Sequence, residues 1–140
     1  MDVLKRVPVR EQDPAERAHN FNEVCLGYSM EEAKAEADRC LKCKNPKCQT
    51  GCPVNIDIPR FIGKVSEGDV EGAYHVISEY SALPAVCGRV CPQESQCEAK
   101  CIRGLREMLS PSVSWSVLLR ITQESMSFVR WYRRRRKIRR

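Results

Sequence analysis

Apolar residues are sparse over the first 28 positions, and Pro8 and Pro14 interrupt what periodicity there is. An extended arm is expected there, carrying a short helix from about Pro14 to Phe21. Ser29-Met30-Glu31-Glu32 then has the form of a capping box, in which Glu32 reaches back to the Ser29 amide. The run that follows, EEAKAEADRCLKC, is rich in helix formers. Ala33, Ala37, Cys40 and Leu41 fall at i, i+4, i+7 and i+8, so one helical face is expected to present all four. That helix would deliver Cys40, with Cys43 just past its end. Pro46, Gly51 and Pro53 make 44–56 an irregular segment. Pro59 suits the first turn of a helix to about Glu67. Gly68 ends it, and Asp69 caps a further helix to about Tyr80. Leu83-Pro84 breaks that helix. Ser95 and Glu98 form a second capping box, opening a short helix with Cys97 and Cys101 one turn apart. No stretch alternates as a strand would, so the expected fold is all-α.

Charge divides the chain in two. Residues 1–104 hold 14 Lys/Arg and 16 Asp/Glu, a net of −2. Residues 105–140 hold 10 Lys/Arg and 2 Asp/Glu, a net of +8. The expected organisation is an arm over 1–28, a compact unit over 29–104 and a basic tail over 105–140. At 140 residues the chain buries a modest core, and domains of this size often add a metal as a staple. The N-terminus lacks the apolar core of a signal peptide, and no apolar run approaches the ~18–20 residues of a membrane span. A cytoplasmic setting is therefore expected, where thiols stay reduced and dense cysteine argues for metal over disulfides.

Eight of the nine cysteines form two groups. Cys40, Cys43, Cys48 and Cys52 are spaced C-x2-C-x4-C-x3-C and followed by Pro53. Cys87, Cys91, Cys97 and Cys101 are spaced C-x3-C-x5-C-x3-C, with Pro92 after the second. Thiolates this close can converge on small soft centres, and the bacterial ferredoxin run C-x2-C-x2-C-x3-C-P is the nearest pattern with a known mechanism. Two iron–sulfur clusters and electron transfer are the expectation. Zinc prefers paired C-x2-C knuckles or histidine partners, and only Cys40 and Cys43 make such a pair.

The segments EQDPAERAHNFNEVCLGYSMEEAKAEADRCLKCKNPKCQTGCPVNIDIPRFI and LPAVCGRVCPQESQCEAKCIRG carry more than spacing. They resemble the N-terminal region of the glutamate synthase small subunit, a block shared with dihydropyrimidine dehydrogenase and with the NADP-binding subunit of electron-bifurcating transhydrogenases. The resemblance covers about residues 8–104. It implies a helical domain with two 4Fe-4S clusters interleaved along the chain. Cys40, Cys43, Cys48 and Cys101 would hold one cluster, and Cys52, Cys91 and Cys97 three irons of the other. Cys87 matches a cysteine that is usually not a ligand in this family.

The family's fourth ligand to the second cluster is a Gln or Glu, 16–18 residues beyond the position of Cys101. Here that position reads Leu119, which cannot ligate iron; Gln123 and Glu124 lie a turn further on. Family members continue into FAD- and NADPH-binding domains, whereas this chain has no G-x-G-x-x-G turn. A truncated or frame-shifted end from about residue 105 is therefore expected, and with it no NADPH-linked catalysis by the chain alone. The implied parent activity is formation of glutamate from glutamine and 2-oxoglutarate. The implied partner is a flavoprotein domain or a glutamate synthase large-subunit-like protein.

Lys42, Lys44, Lys47, Arg89, Lys100 and Arg103 lie near the cysteines in sequence and are expected to favour reduced clusters, less so where solvent screens them. Cys25 reads as a small buried residue. His19 and His75 read as surface or packing residues, with no nucleophile beside them. The terminal WYRRRRKIRR has the composition of a nucleic-acid or anionic-lipid contact, but a solvated or disordered tail is the expected reading, and nucleic acid is not the expected partner. Trp115, Leu118, Leu119 and Ile121 have the spacing of a weak apolar helical face. A zinc-stabilised nucleic-acid-binding module and a non-functional remnant are the alternatives to the electron-transfer reading.

Overall fold

The computed structural model describes residues 6–103. The segment after Arg103, with Leu119, Gln123, Glu124, the Trp115 face, the basic terminus and the proposed junction near Gly104, lies outside the described residues.

The arm is not wholly extended. Asp13 Oδ1 accepts from the Ala15 amide at 2.8 Å and starts α1, Pro14–Arg17, with Pro14 in its first turn. The helix stops short of Phe21 because Asn20 intervenes. Its Nδ2 donates to the Glu16 carbonyl at 2.8 Å, and its Oδ1 accepts from the Asn22 amide. Phe21 is left fully exposed.

Two short strands, β1 (Arg10–Glu11) and β2 (Cys25–Gly27), pair antiparallel with a register irregularity between Arg10 and Glu11. The fold is thus mainly helical with a small ladder, which corrects the all-α expectation. Strands of two and three residues are too short for alternation to register in a sequence.

The capping box at Ser29 forms as its sequence suggests. Ser29 Oγ accepts from the Glu32 amide, and the Glu32 carboxylate accepts from the Ser29 amide. Helix α2 runs Met30–Ala37 and ends a turn before Cys40. The Arg39 and Cys40 amides donate back three residues, to Glu36 and Ala37, tightening the chain out of α-helical register. Lys42 then takes a left-handed φ of 47°. Ala33 and Ala37 are buried as expected, but Leu41 is half exposed, off the face assigned to it.

Two expectations about irregular chain are also corrected. Lys47–Gly51 forms a short helix, α3, entered from Pro46, which supplies a compatible φ of −74°. Pro84 begins a helix instead of ending one: α6 spans Pro84–Val90, with Pro84 in its first turn, and the preceding helix has already ended at Ser78. Conversely, 97–101 is not helical. A 3-10 turn occupies Gln93–Ser95, and Ser95 Oγ donates to the Pro92 carbonyl instead of capping a helix.

Helices α4 (Ile58–Ser66) and α5 (Val70–Ser78) match their expected limits, capped by Asp57 and Asp69. Ile58, Phe61, Ile62 and Val65 recur at i, i+3, i+4 and i+7 and are all buried. They pack against Ala73, Val76 and Ile77 of α5 and the small Ala33 and Ala37 of α2. Cys40, Cys48 and Cys52 rest on the edge of this core.

A buried ion pair ties the arm to it. Glu36 and Arg39 are 0% and 2% exposed and hydrogen-bonded to each other. The Glu36 carboxylate also accepts from the Val7 amide at 2.9 Å, while the Val7 carbonyl accepts from the Tyr28 hydroxyl. Removing one partner strands the other charge in a dry site. Glu36→Ala is expected to lower the unfolding free energy by about 3–5 kcal/mol in an anaerobic denaturant titration, with Glu36→Gln losing less. Ser29→Ala, which removes the acceptor for the Glu32 amide, is expected to cost ~1 kcal/mol in the same titration.

Candidate metal centre

The cysteines surround two cavities, and each cavity draws on both sequence groups. Cys40 and Cys43 come from the turn after α2, Cys48 from α3, and Cys101 from the chain after the 3-10 turn. These four line the first cavity, with Leu41, Pro46, Ile58, Ile62 and Arg103 among their neighbours. Cys52 follows α3, Cys87 lies in α6, Cys91 caps it and Cys97 lies beyond. These line the second, with Val54, Ile56, Phe61 and Val90. The second cavity is the roomier, at about 350 Å³. Ile58 borders both.

The groups meet where α3 ends. A Cβ built on Gly51 would lie 2.7 Å from the Gln96 carbonyl oxygen and 3.0 Å from Cys97 Cα. The bare glycine therefore lets the first group's backbone lie directly against the second's.

Burial and mutual proximity raise the proton affinity of these thiols. The Cys48 thiol is pushed up to about 12, first by burial and then by nearby Cys101 and Cys40; the Gln49 backbone amide opposes this. Burial is also the main cause for Cys40, with Cys101 and Cys43 adding to it. Burial raises Cys91 too, followed by Cys52 and Cys87. Such thiols are neutral near pH 7, so a bound cation must displace their protons, and its affinity rises with pH.

The chain matches, over residues 17–126, the family described as dihydropyrimidine dehydrogenase domain II, 4Fe-4S cluster. It belongs to that family. Among its relatives, the glutamate synthase [NADPH] small chain of Halomonas elongata is 43% identical over 102 residues, 72% of this chain and 21% of the relative. The Azospirillum brasilense small chain is 42% identical over 100 residues, 71% and 20% respectively. The NAD-dependent dihydropyrimidine dehydrogenase subunit PreT of Escherichia coli is 43% identical over 83 residues, 59% and 20%. The chain spans about a fifth of the length of these curated relatives.

The donor sets fit the prosthetic group of a 4Fe-4S domain. Each cavity offers soft sulfur donors on an apolar wall, the ligand type that selects iron–sulfur centres. Among the described residues no three His, Cys, Asp or Glu side chains converge closely enough for a single metal ion. A zinc ion needs its ligands within ~2.3 Å of one point. A four-iron cluster gives each thiolate a different iron and so accepts wider spacing.

The remaining sequence candidates lie apart from these cavities or at their margins. Cys25 is half-buried in β2 and lines neither cavity. His75 is exposed on α5, 3.8 Å from Glu71. His19 is exposed just after α1. Of the cationic residues, Lys47 and Arg103 line the first cavity, whereas Lys42, Lys44 and Lys100 are exposed. Arg89 is engaged by Glu23 at 2.9 Å. The sequence reading missed α6, which turns Cys87 and Cys91 toward one cavity. Its available signal was Pro84 at a helix start with two cysteines four apart.

Proposed function

We propose that this chain is an electron-transfer module holding two 4Fe-4S clusters. Cys40, Cys43, Cys48 and Cys101 hold one, and Cys52, Cys91 and Cys97 supply three ligands of the other. The observation that carries this reading is the pair of sulfur-lined cavities with Ile58 between them. When bound, such clusters carry single electrons. The chain's own part is to hold the sulfurs, exclude water and set the local charge. Ile58, Ile62 and Phe61 give the cavities dry walls, and Lys47 and Arg103 bring positive charge to the first.

Two centres in cavities that share Ile58 would suit a relay between a flavin and a partner protein's cofactor. Val54 and Val90 line the second cavity and are exposed, giving that end an apolar rim for a partner to cover. The partner proposed is a flavoprotein domain or a large-subunit-like protein, in keeping with the relatives named glutamate synthase small chain. The hydride chemistry of such an assembly belongs to FAD and NADPH.

Iron, sulfide and zinc analysis of the chain purified without oxygen tests the reading. About eight irons and eight sulfides per chain are expected. Cys48→Ala is expected to reduce both to about four, by emptying the first cavity alone. Stoichiometric zinc with no iron would overturn the proposal.

A further inference from the structure

The second cavity is ringed by four cysteines, one more than the three assigned to it above, and the extra one is Cys87. We infer that Cys87 is the fourth ligand of the second cluster in this chain. The inference rests on the two-cluster reading and deepens it.

Cys87 sits on α6 one turn before Cys91, and the Cys91 amide donates to the Cys87 carbonyl at 3.1 Å. The last turn of α6 therefore holds both residues on one side of the helix. Both line the cavity, and Cys87 is half-buried at its wall. Ser81 Oγ lies 3.7 Å from Cys87 Sγ, placed to donate its hydroxyl proton to a sulfur that carries negative charge. By the resemblance, the position of the family's oxygen ligand reads Leu119 here, whose side chain has no donor atom, with Gln123 and Glu124 a turn further on.

Two amide oxygens in the lining compete with it. Gln93 lines the cavity and is 3% exposed, and its buried Oε1 has no hydrogen-bond partner, so an experiment must separate it from Cys87. Gln96 Oε1 accepts from Cys91 Sγ at 3.2 Å, a bond that ends when the Cys91 thiol gives up its proton to bind iron. Against both amides, a thiolate is the softer donor and the commoner ligand of a cluster iron. On binding, the Cys87 thiol releases its proton to solvent and its sulfur donates a pair to iron, leaving the oxidation states unchanged.

The test compares the full 140-residue chain with Cys87→Ala, Cys87→Ser and Gln93→Leu, all purified without oxygen, by iron content, electron paramagnetic resonance and redox titration. Cys48→Ala serves as the control that spares the second cavity. The expected result is about eight irons in the wild type. Cys87→Ala should lose the second cluster or degrade it to a three-iron form with a new signal in the oxidised protein. Cys87→Ser, with a harder oxygen donor, should keep iron but shift the potential of one cluster. Gln93→Leu should keep both clusters. An unchanged first-cluster signal in Cys87→Ala shows that the variant still folds.

Wild-type iron and spectra in Cys87→Ala would overturn the inference. So would loss of the second cluster in Gln93→Leu with retention in Cys87→Ala. A wild type with about four irons, all lost in Cys48→Ala, would sink the two-cluster reading and this inference with it, leaving one centre in the first cavity. A wild type without iron would sink the iron–sulfur reading itself.

Discussion

Neither sulfur cavity closes unless the two cysteine groups, separated by more than thirty residues, are brought together. Cys101 must cross to Cys40, Cys43 and Cys48, and Cys52 must cross to the second group. Everything between them serves that crossing. Helices α4 and α5 carry the chain away from α3 and back, and their shared apolar face forms the floor on which Cys40, Cys48 and Cys52 rest. At the meeting point Gly51 removes the side chain that would hold the backbones apart. Metal bound across both groups would lock this closure, so cofactor binding and folding are one process in such a design.

The second brace is polar. Glu36 and Arg39 lie beneath the surface, within the four residues that precede Cys40. Glu36 reaches the arm through Val7, and the Arg39 carbonyl accepts from Arg103 Nε at 3.0 Å, two residues past Cys101. One buried pair thus connects the arm, the end of α2 and the far side of the first cavity. A buried ion pair gives little net stability over apolar packing, but leaving either member alone is costly, so these three segments are held in register.

The elements with strong local signals were legible in the sequence. The Ser29 box, Pro59 and the Asp69 cap each act through neighbours within four residues, and α4 and α5 match their expected limits. What failed depended on longer-range packing or on turn geometry. The end of α2 is set by three-residue hydrogen bonds and a left-handed Lys42, which helix periodicity does not encode. Proline read as a breaker at 46 and 84 proved an initiator, because the same fixed φ serves both roles. Ser95 and Glu98 have capping-box spacing, yet the Glu98 amide is taken by the Gln93 carbonyl. The grouping of cysteines by cavity followed from resemblance, since spacing alone allows several pairings. That Cys87 faces the same cavity as Cys52, Cys91 and Cys97 became visible only in three dimensions.

Ile58 carries a consequence for how charge would accumulate. It is the side chain common to both cavity walls, it is 4% exposed, and Pro59 fixes the backbone beside it. Clusters held in both cavities, sharing this dry residue, would repel each other's added electrons. The first electron to arrive would then make the second harder to place. The pair would fill in sequence rather than together, and a two-electron donor would be discharged one electron at a time.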